Sequence, residues 1–377
     1  MLFRTFDNIN SFKMQVKELV SYLNQLAPFT YQESYDNSGL LVGNPSDEVK
    51  GVIVALDCLE SIIDEAILHG ANVVLTHHPI VFKGLKRITG ANYVERTVLK
   101  AIKNDINLIA IHTNLDNVHF GVNYIISEKL GLKDVKILSP KAATAYKLSV
   151  FVPQTHADLL RESLAKAGAG HLGAYSSCSF SSKGEGRFKP DEDADPFIGK
   201  AGELEVVKEI KVEVVISEHA VSAVLHAMKA THPYEEIAYD LIAMTNSNEY
   251  IGSGMIGTLE HGMEAIEFLS FVKRTFHCGA IRYTNPTKST VKRIAVCGGA
   301  GSFLLKDAIR AKADVFITGD FKYHEFFDAE DHLMIADIGH FESEQYTSEW
   351  LVAQLKKKFT NFAVRLTNVN TNPINYL

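Results

Sequence analysis

The chain has few cysteines, no basic block and no long apolar run, and each shortage removes a class of function. Cys58, Cys178, Cys278 and Cys297 are isolated among 377 residues, with no C-x-x-C pair. A structural zinc knuckle and a disulfide framework are therefore not expected, and the usage fits a reducing compartment. The formal net charge is −7, without a basic tail. Extended contact with a nucleic-acid backbone is not expected on that balance. No stretch approaches the roughly 20 apolar residues that span a bilayer. The start, Met1-Leu2-Phe3-Arg4-Thr5-Phe6-Asp7, lacks the apolar core of a signal peptide. These features predict a cytoplasmic protein without a membrane partner. Hydrophobic residues make up 46% and charged residues 22%, a globular profile. The length is enough for about two or three domains.

Three parts follow one another. The first, 14–144, opens with a weakly structured extension before it, then a helix over 14–27 that stops at Pro28. Strands are predicted over 39–43, 52–56, 73–75 and 107–111, with a helix over 60–70 closed by Gly70. Residues His112 to Asn117 read as a polar loop. The last part, 248–377, has a similar order. Strand 293–297 leads to the turn Gly298-Gly299-Ala300-Gly301-Ser302, a helix over 303–312, strands over 315–317 and 333–336, and a final helix carrying Trp350. Alternating strands and helices indicate the α/β class.

The two parts look like a diverged repeat. Glu65-Ala66-Ile67 precedes Ala71-Asn72-Val73-Val74-Leu75-Thr76-His77-His78. At the same spacing Asp307-Ala308-Ile309 precedes Ala313-Asp314-Val315-Phe316-Ile317-Thr318-Gly319-Asp320, so Asp320 takes the place of His78. Between them, 145–247 reads as strand, helix, Gly/Ser-rich loop (168–186), strand, helix and strand, a ferredoxin-like α+β module.

The chemistry-bearing residues cluster at predicted strand ends. His77 and His78 follow Val73-Val74-Leu75 and precede Pro79. In open α/β sheets ligands collect beyond the carboxyl ends of strands. His340 and Glu344 are spaced i, i+4, which on a helix stacks both side chains on one face, where they can share an ion. With Asp116 the set is His, His, Asp, His, Glu. Three imidazoles and two carboxylates suit zinc, iron or manganese better than calcium or magnesium. Five ligands exceed one tetrahedral site and suit two ions about 3.5–4 Å apart.

Asp320 and His324 end the repeated strand and are candidate proton-exchanging or ligand-orienting residues. Asp57 follows a strand and can point at the cleft, whereas Asp36 and Asn37 read as residues that pin a turn. His112 and His119 flank Asp116 and read as cavity-lining residues without a metal role. The Gly298–Ser302 turn offers backbone N–H groups to a phosphate, or is simply a tight turn. His232-Pro233-Tyr234-Glu235-Glu236 reads as a helix-to-strand turn or an interface element.

Taken together, Asp36-Asn37-Ser38-Gly39-Leu40-Leu41-Val42-Gly43, Thr76-His77-His78-Pro79, His112-Thr113-Asn114-Leu115-Asp116, Thr318-Gly319-Asp320-Phe321-Lys322-Tyr323-His324 and Gly339-His340-Phe341-Glu342-Ser343-Glu344 resemble the YbgI/YqfO-like dinuclear metal-centre family, the GTP cyclohydrolase I type 2 homologs. The resemblance covers nearly the whole chain from Met14. It implies two intertwined α/β halves around a cleft that holds two divalent ions on His77, His78, Asp116, His340 and Glu344. It also implies a ring-shaped homohexamer, and a PII-like inserted module at 145–247. The family label points to hydrolytic opening of the guanine imidazole ring of GTP with release of formate. Two expectations follow: a metal-dependent hydrolase acting on a small-molecule or nucleotide ligand, or a non-catalytic metal-dependent assembly or regulatory protein whose insert senses a ligand.

Overall fold

The computed structural model describes residues 13–142 and 144–377. Nearly all of the N-terminal extension expected from the sequence lies outside them. In chain order the strands are β1 (Gly39–Val42), β2 (Gly51–Ala55), β3 (Val73–Thr76), β4 (Asn107–Ala110), β5 (Lys133–Ala142), β6 (Ala145–Pro153), β7 (Phe180–Phe188), β8 (Glu205–Ser217), β9 (Tyr239–Ala243), β10 (Ser247–Glu264), β11 (Arg282–Tyr283), β12 (Thr290–Ala300), β13 (Val315–Gly319), β14 (Met334–Asp337) and β15 (Ala363–Leu366). The chain divides into two compact units. One holds the described residues up to Ser139 with Tyr250–Leu377, and the other is Pro140–Glu249.

The first unit contains two sheets with the same internal order. One runs β1-β4-β3-β2-β15 and the other β11-β14-β13-β12-β10-β5. In each, three strands are parallel (β2, β3, β4 and β12, β13, β14) and a short antiparallel strand caps the third. This is the repeat read from the sequence, seen as topology. Equivalent residues do equivalent work. The Asn72 side chain accepts from the Lys50 amide at 2.8 Å, while the Asp314 carboxylate accepts from the Lys292 and Arg293 amides at 2.8 Å. Each sheet borrows an edge: β15, from the end of the chain, pairs with β2, and β5 borders β10.

Strand periodicity decides what each face covers. Side chains alternate across a strand. Val52, Val54, Val73 and Leu75 face a shared core with Ile294, Val296, Val315 and Ile317 of the second sheet. The intervening Ile53 and Val74 pack on helices Glu60–Leu68 and Tyr93–Lys103 through Ile62, Ile63 and Val98. Likewise Ala295, Phe316 and Ile335 turn to Leu304, Leu305 and Ala308. Both faces of the parallel strands are buried, which is why they read as continuous apolar runs.

The second unit is an antiparallel sheet in the order β7-β8-β6-β9, with helices Ala157–Lys166 and Val221–Thr231 on one face. Leu148, Val150, Val152, Val212, Val214 and Ile216 pack under Leu160, Leu164, Val224 and Met228. The β-α-β-β-α-β order is the ferredoxin-like one. One sequence expectation is corrected here. The Gly/Ser-rich loop ends before Phe180, and 180–188 is the strand β7. An edge strand with both faces largely exposed carries no hydrophobic alternation to read.

Among the described residues no helix is long and apolar enough to cross a membrane.

Candidate metal centre

Every side chain of the site projects from just beyond the end of a parallel strand. Asp57 follows β2, His77 and His78 follow β3, His112 and Asp116 follow β4, Asp320 follows β13, and His340 and Glu344 follow β14. The structure brings His77, His78, Asp116, His340 and Glu344 together. His78, His340 and Glu344 have ligand atoms within 4.8 Å of one another, as do His77, Asp116 and Glu344. Glu344, almost fully buried, lies between the two groups. Its Oε2 is 2.9 Å from His78 Nε2 and 3.1 Å from His340 Nε2, and its Oε1 is 3.7 Å from His77 Nε2.

The imidazoles are oriented from outside. His77 donates Nδ1–H to the Ile111 carbonyl at 2.8 Å. His78 Nδ1 is 2.7 Å from Asp57 Oδ1, and the other oxygen of Asp57 accepts from Thr371 at 2.6 Å. His340 Nδ1 is 2.7 Å from Asp320 Oδ2. With each Nδ1 engaged by an acceptor, each Nε2 is presented to the centre. This is the outer arrangement that fixes metal-binding histidines in proteins.

Local sequence explains the placement. The expected polar loop at 112–117 contains a helical turn, Thr113–Asp116, because the His112 carbonyl accepts from the Leu115 amide at 2.7 Å and the Asp116 amide at 3.2 Å. That turn swings Asp116 back under His77, 3.6 Å from its Nε2. Helix His340–Glu344 stacks its first and last residues on one face, as the i, i+4 spacing requires. Two donors of the Gly-rich turn are already engaged. The Gly298 amide donates to Asn123 Oδ1 and the Gly299 amide to Ser343 Oγ, both at 2.9 Å. Its glycines are there for close approach. Gly299 has φ +61°, and a Cβ on it would lie 2.5 Å from Glu344 Oε1.

The side chains of the cluster hold one another's charges. Burial opposes the charge on Glu344, but His340 and the other two imidazoles keep its carboxyl well below the usual range. Glu344, ahead of Asp320 and against burial, holds the His340 pKa up at about 11. Burial works against His78 as well, yet Asp57 and Glu344 raise its pKa to about 9. Burial, then the Glu344 charge, pushes Asp116 up to about 7. His77 Nε2 and Asp116 Oδ1 are buried without a hydrogen-bond partner. A divalent cation answers each of these conditions at once: it gives the orphaned atoms a partner and separates like charges. The donor set therefore fits a metal.

Asp320 and His324 make different contacts. Asp320 is in the left-handed region (φ +58°) with its carboxylate on His340. His324 is exposed on a 3-10 turn, with its ring 5.2 Å from Tyr323 and 6.4 Å from Phe327, and none of these contacts reaches the cluster. Sequence reasoning undervalued two residues. His112, read as lining without a metal role, lies with His77 and His78 in a third triplet of ligand atoms within 4.8 Å. Asp36, read as a turn pin, receives His112 Nδ1 at 2.7 Å and also accepts from the Thr113 amide and hydroxyl. Their link spans 76 positions, and the only signal in the sequence is that each sits beside a motif residue. Cys297 packs beside the centre, where burial and then the carboxylates of Asp116 and Glu344 push its pKa up.

The chain is 42% identical over 364 residues to a Halalkalibacterium halodurans protein named GTP cyclohydrolase 1 type 2 homolog, covering 95% of this chain and 98% of that one. A Bacillus subtilis protein of the same name is 38% identical over 368 residues, with 96% and 98% covered. A crystal structure of a Bacillus cereus protein related to NIF3 superposes with a TM-score of 0.84 at 36% identity, covering 97% of this chain and all of the other. The model of one family matches residues 14–373, nearly the whole length over which these relatives align, and the chain belongs to that family, Duf34/NIF3 (NGG1p interacting factor 3).

Proposed function

We propose that this protein is a dinuclear-metal hydrolase, with two zinc, iron or manganese ions held by His77, His78, Asp116, His340 and Glu344. One observation carries the reading: three imidazoles have Nδ1 tied outward and Nε2 turned onto two carboxylates, with His77 Nε2 and Asp116 Oδ1 buried and unpartnered. A bound pair of ions supplies Lewis acidity and lowers the pKa of water towards neutrality. The chain's own residues do the rest. Glu344 and Asp116 supply the negative charge that keeps the cations in a partly buried place. Asp57 and Asp320 fix the tautomers of His78 and His340. His112, with Nδ1 on Asp36, presents Nε2 to the same space and can hold or pass a proton there. Asp320 thus serves the chemistry through His340, while His324, exposed, is available to a substrate or to proton exchange with solvent.

GTP is the first substrate to test, because relatives bear the name GTP cyclohydrolase 1 type 2 homolog. Protein loaded with metal is assayed for formate and for phosphate release from GTP, and for hydrolysis of simple phosphoesters. Turnover that disappears in Glu344→Ala is expected. Metal-loaded protein inert towards all of them would contradict the hydrolase reading.

The same proposal includes intertwined halves, supported by the exchange of the edge strands β5 and β15. It takes 14–144 and 248–377 as the halves of one core domain and 145–247 as a PII-like insert, supported by the β-α-β-β-α-β order of that segment. A cytoplasmic location rests on the four unpaired cysteines. A ring-shaped homohexamer is tested by light scattering of the purified chain, where a monomeric mass would contradict it.

A further inference from the structure

A cavity in the second unit has no residue in common with the metal centre. It encloses about 650 Å³, within the roughly 300–1,000 Å³ typical of small-molecule sites. Its wall is aromatic: Phe188 and Phe197 pack on Tyr234, with ring centroids 5.7 and 6.4 Å away. Charged side chains of both signs also line it, and one of them is a largely buried carboxylate. Glu209, on β8, is only 9% exposed and lines the cavity.

That carboxylate lacks a counter-charge. Among the described residues its one side-chain hydrogen bond is from the Tyr234 hydroxyl at 3.0 Å. Burial, then Glu209 itself, raises the Tyr234 pKa, so this donor is neutral. His232 nearby is neutral too. Its Nε2–H donates to the Phe151 carbonyl at 2.9 Å, its Nδ1 accepts from the Tyr234 amide at 3.1 Å, and burial lowers its pKa. Four cations line the cavity, Lys183, Arg187, Lys189 and Lys211; Arg187 is 3.8 Å from Glu185 and Lys211 is 3.1 Å from Glu213. Among the described residues no lysine or arginine forms an ion pair with Glu209. The seat is also shaped for it, because a Cβ on Gly186 would fall 2.2 Å from Glu209 Oε2. A buried carboxylate without a counter-charge is costly and needs compensation. Aromatic faces beside it attract cations and apolar bodies alike.

We propose that this cavity binds a small organic ammonium ion, its charged head on Glu209 and its apolar body against Phe188, Phe197 and Tyr234. The site is independent of the metal reading. It predicts recognition by charge, since a neutral molecule of the same shape leaves Glu209 uncompensated.

The test uses the full chain and two probes, 2-phenylethylammonium and the neutral 2-phenylethanol, titrated at pH 7 by ligand-observed NMR. Saturable binding of the ammonium is expected, at least about tenfold tighter than that of the alcohol. Glu209→Gln, which keeps size and shape, weakens the ammonium by about tenfold or more. Phe197→Ala, at a residue 53% exposed and therefore structurally tolerant, also weakens it. Equal affinity for the two probes would overturn the proposal, as would ammonium binding unaffected by Glu209→Gln and Phe197→Ala, the pattern of an amine held at the metal centre. Absence of saturable binding would overturn it as well.

Discussion

The Nε2 atoms of His78 and His340 lie 3.2 Å apart, although the residues are 262 positions apart and follow strands of different sheets. Two imidazole nitrogens that close repel when both carry protons, share a hydrogen bond when one does, and can both turn lone pairs to a cation when neither does. Glu344 lies against both of them. The arrangement makes sense as a cation site, and the consequences can be measured.

Glu344 is the residue most shared among the imidazoles. Glu344→Ala is expected to abolish metal retention through dialysis while the fold persists. Far-UV circular dichroism and elemental analysis of the same sample check both halves of the statement. Metal content equal to wild type would show that Glu344 is no ligand.

Asp57 and Asp320 touch no ligand atom directed at the centre, yet each fixes an imidazole. Asp57→Ala and Asp320→Ala are each expected to weaken metal binding by about 10–100-fold, the usual effect of losing such an outer partner. Competition against a chromophoric chelator measures it. His324→Ala, exposed and away from the cluster, is expected to leave affinity unchanged.

Gly299 is required by both backbone and space. Gly299→Ala meets the left-handed conformation, which costs about 1–2 kcal/mol for a side-chain-bearing residue, and pushes its Cβ against Glu344. Lower stability in urea together with weaker metal binding is expected. Stability loss without metal loss would show that the close approach does not matter to the site.

Asp314 links pH to stability. Burial opposes its charge, but the Arg293 amide, Lys288 and the Lys292 amide win, so its folded pKa is lowered. A lowered folded pKa adds stability above the unfolded value of about 3.9 and loses it as pH falls through that value and on through the folded one. Asp314→Asn is therefore expected to lower stability at neutral pH and to make it fall less steeply in acid. The repeat already places an asparagine, Asn72, at the equivalent position. Parallel acid limbs for the two proteins in urea unfolding would contradict this.

How much of this could be read in advance depends on the range of each signal. His77-His78 stood out because a four-residue buried strand ends beside them, and the His340/Glu344 spacing is local to one helical turn. The parallel strands were legible because burial on both faces makes them apolar throughout. By contrast, β7 is exposed, and helix Ala265–Thr275 went unread although it buries Phe268, Leu269 and Val272. The hold of Asp36 on His112 and of Asp57 on His78 exists only after the sheets have formed, so neither role could be seen in a local motif. The glycines of 298–301 read as a tight turn or a phosphate cradle, and composition could not show that Glu344 packs against Gly299.

The most direct measurement is the number of metal ions per chain, by elemental analysis of protein prepared without chelators, for wild type and for His77→Ala and Glu344→Ala. Two ions per chain in the wild type, lost in both variants, are expected. A wild-type protein without bound metal, or variants that keep both ions, would contradict the dinuclear centre.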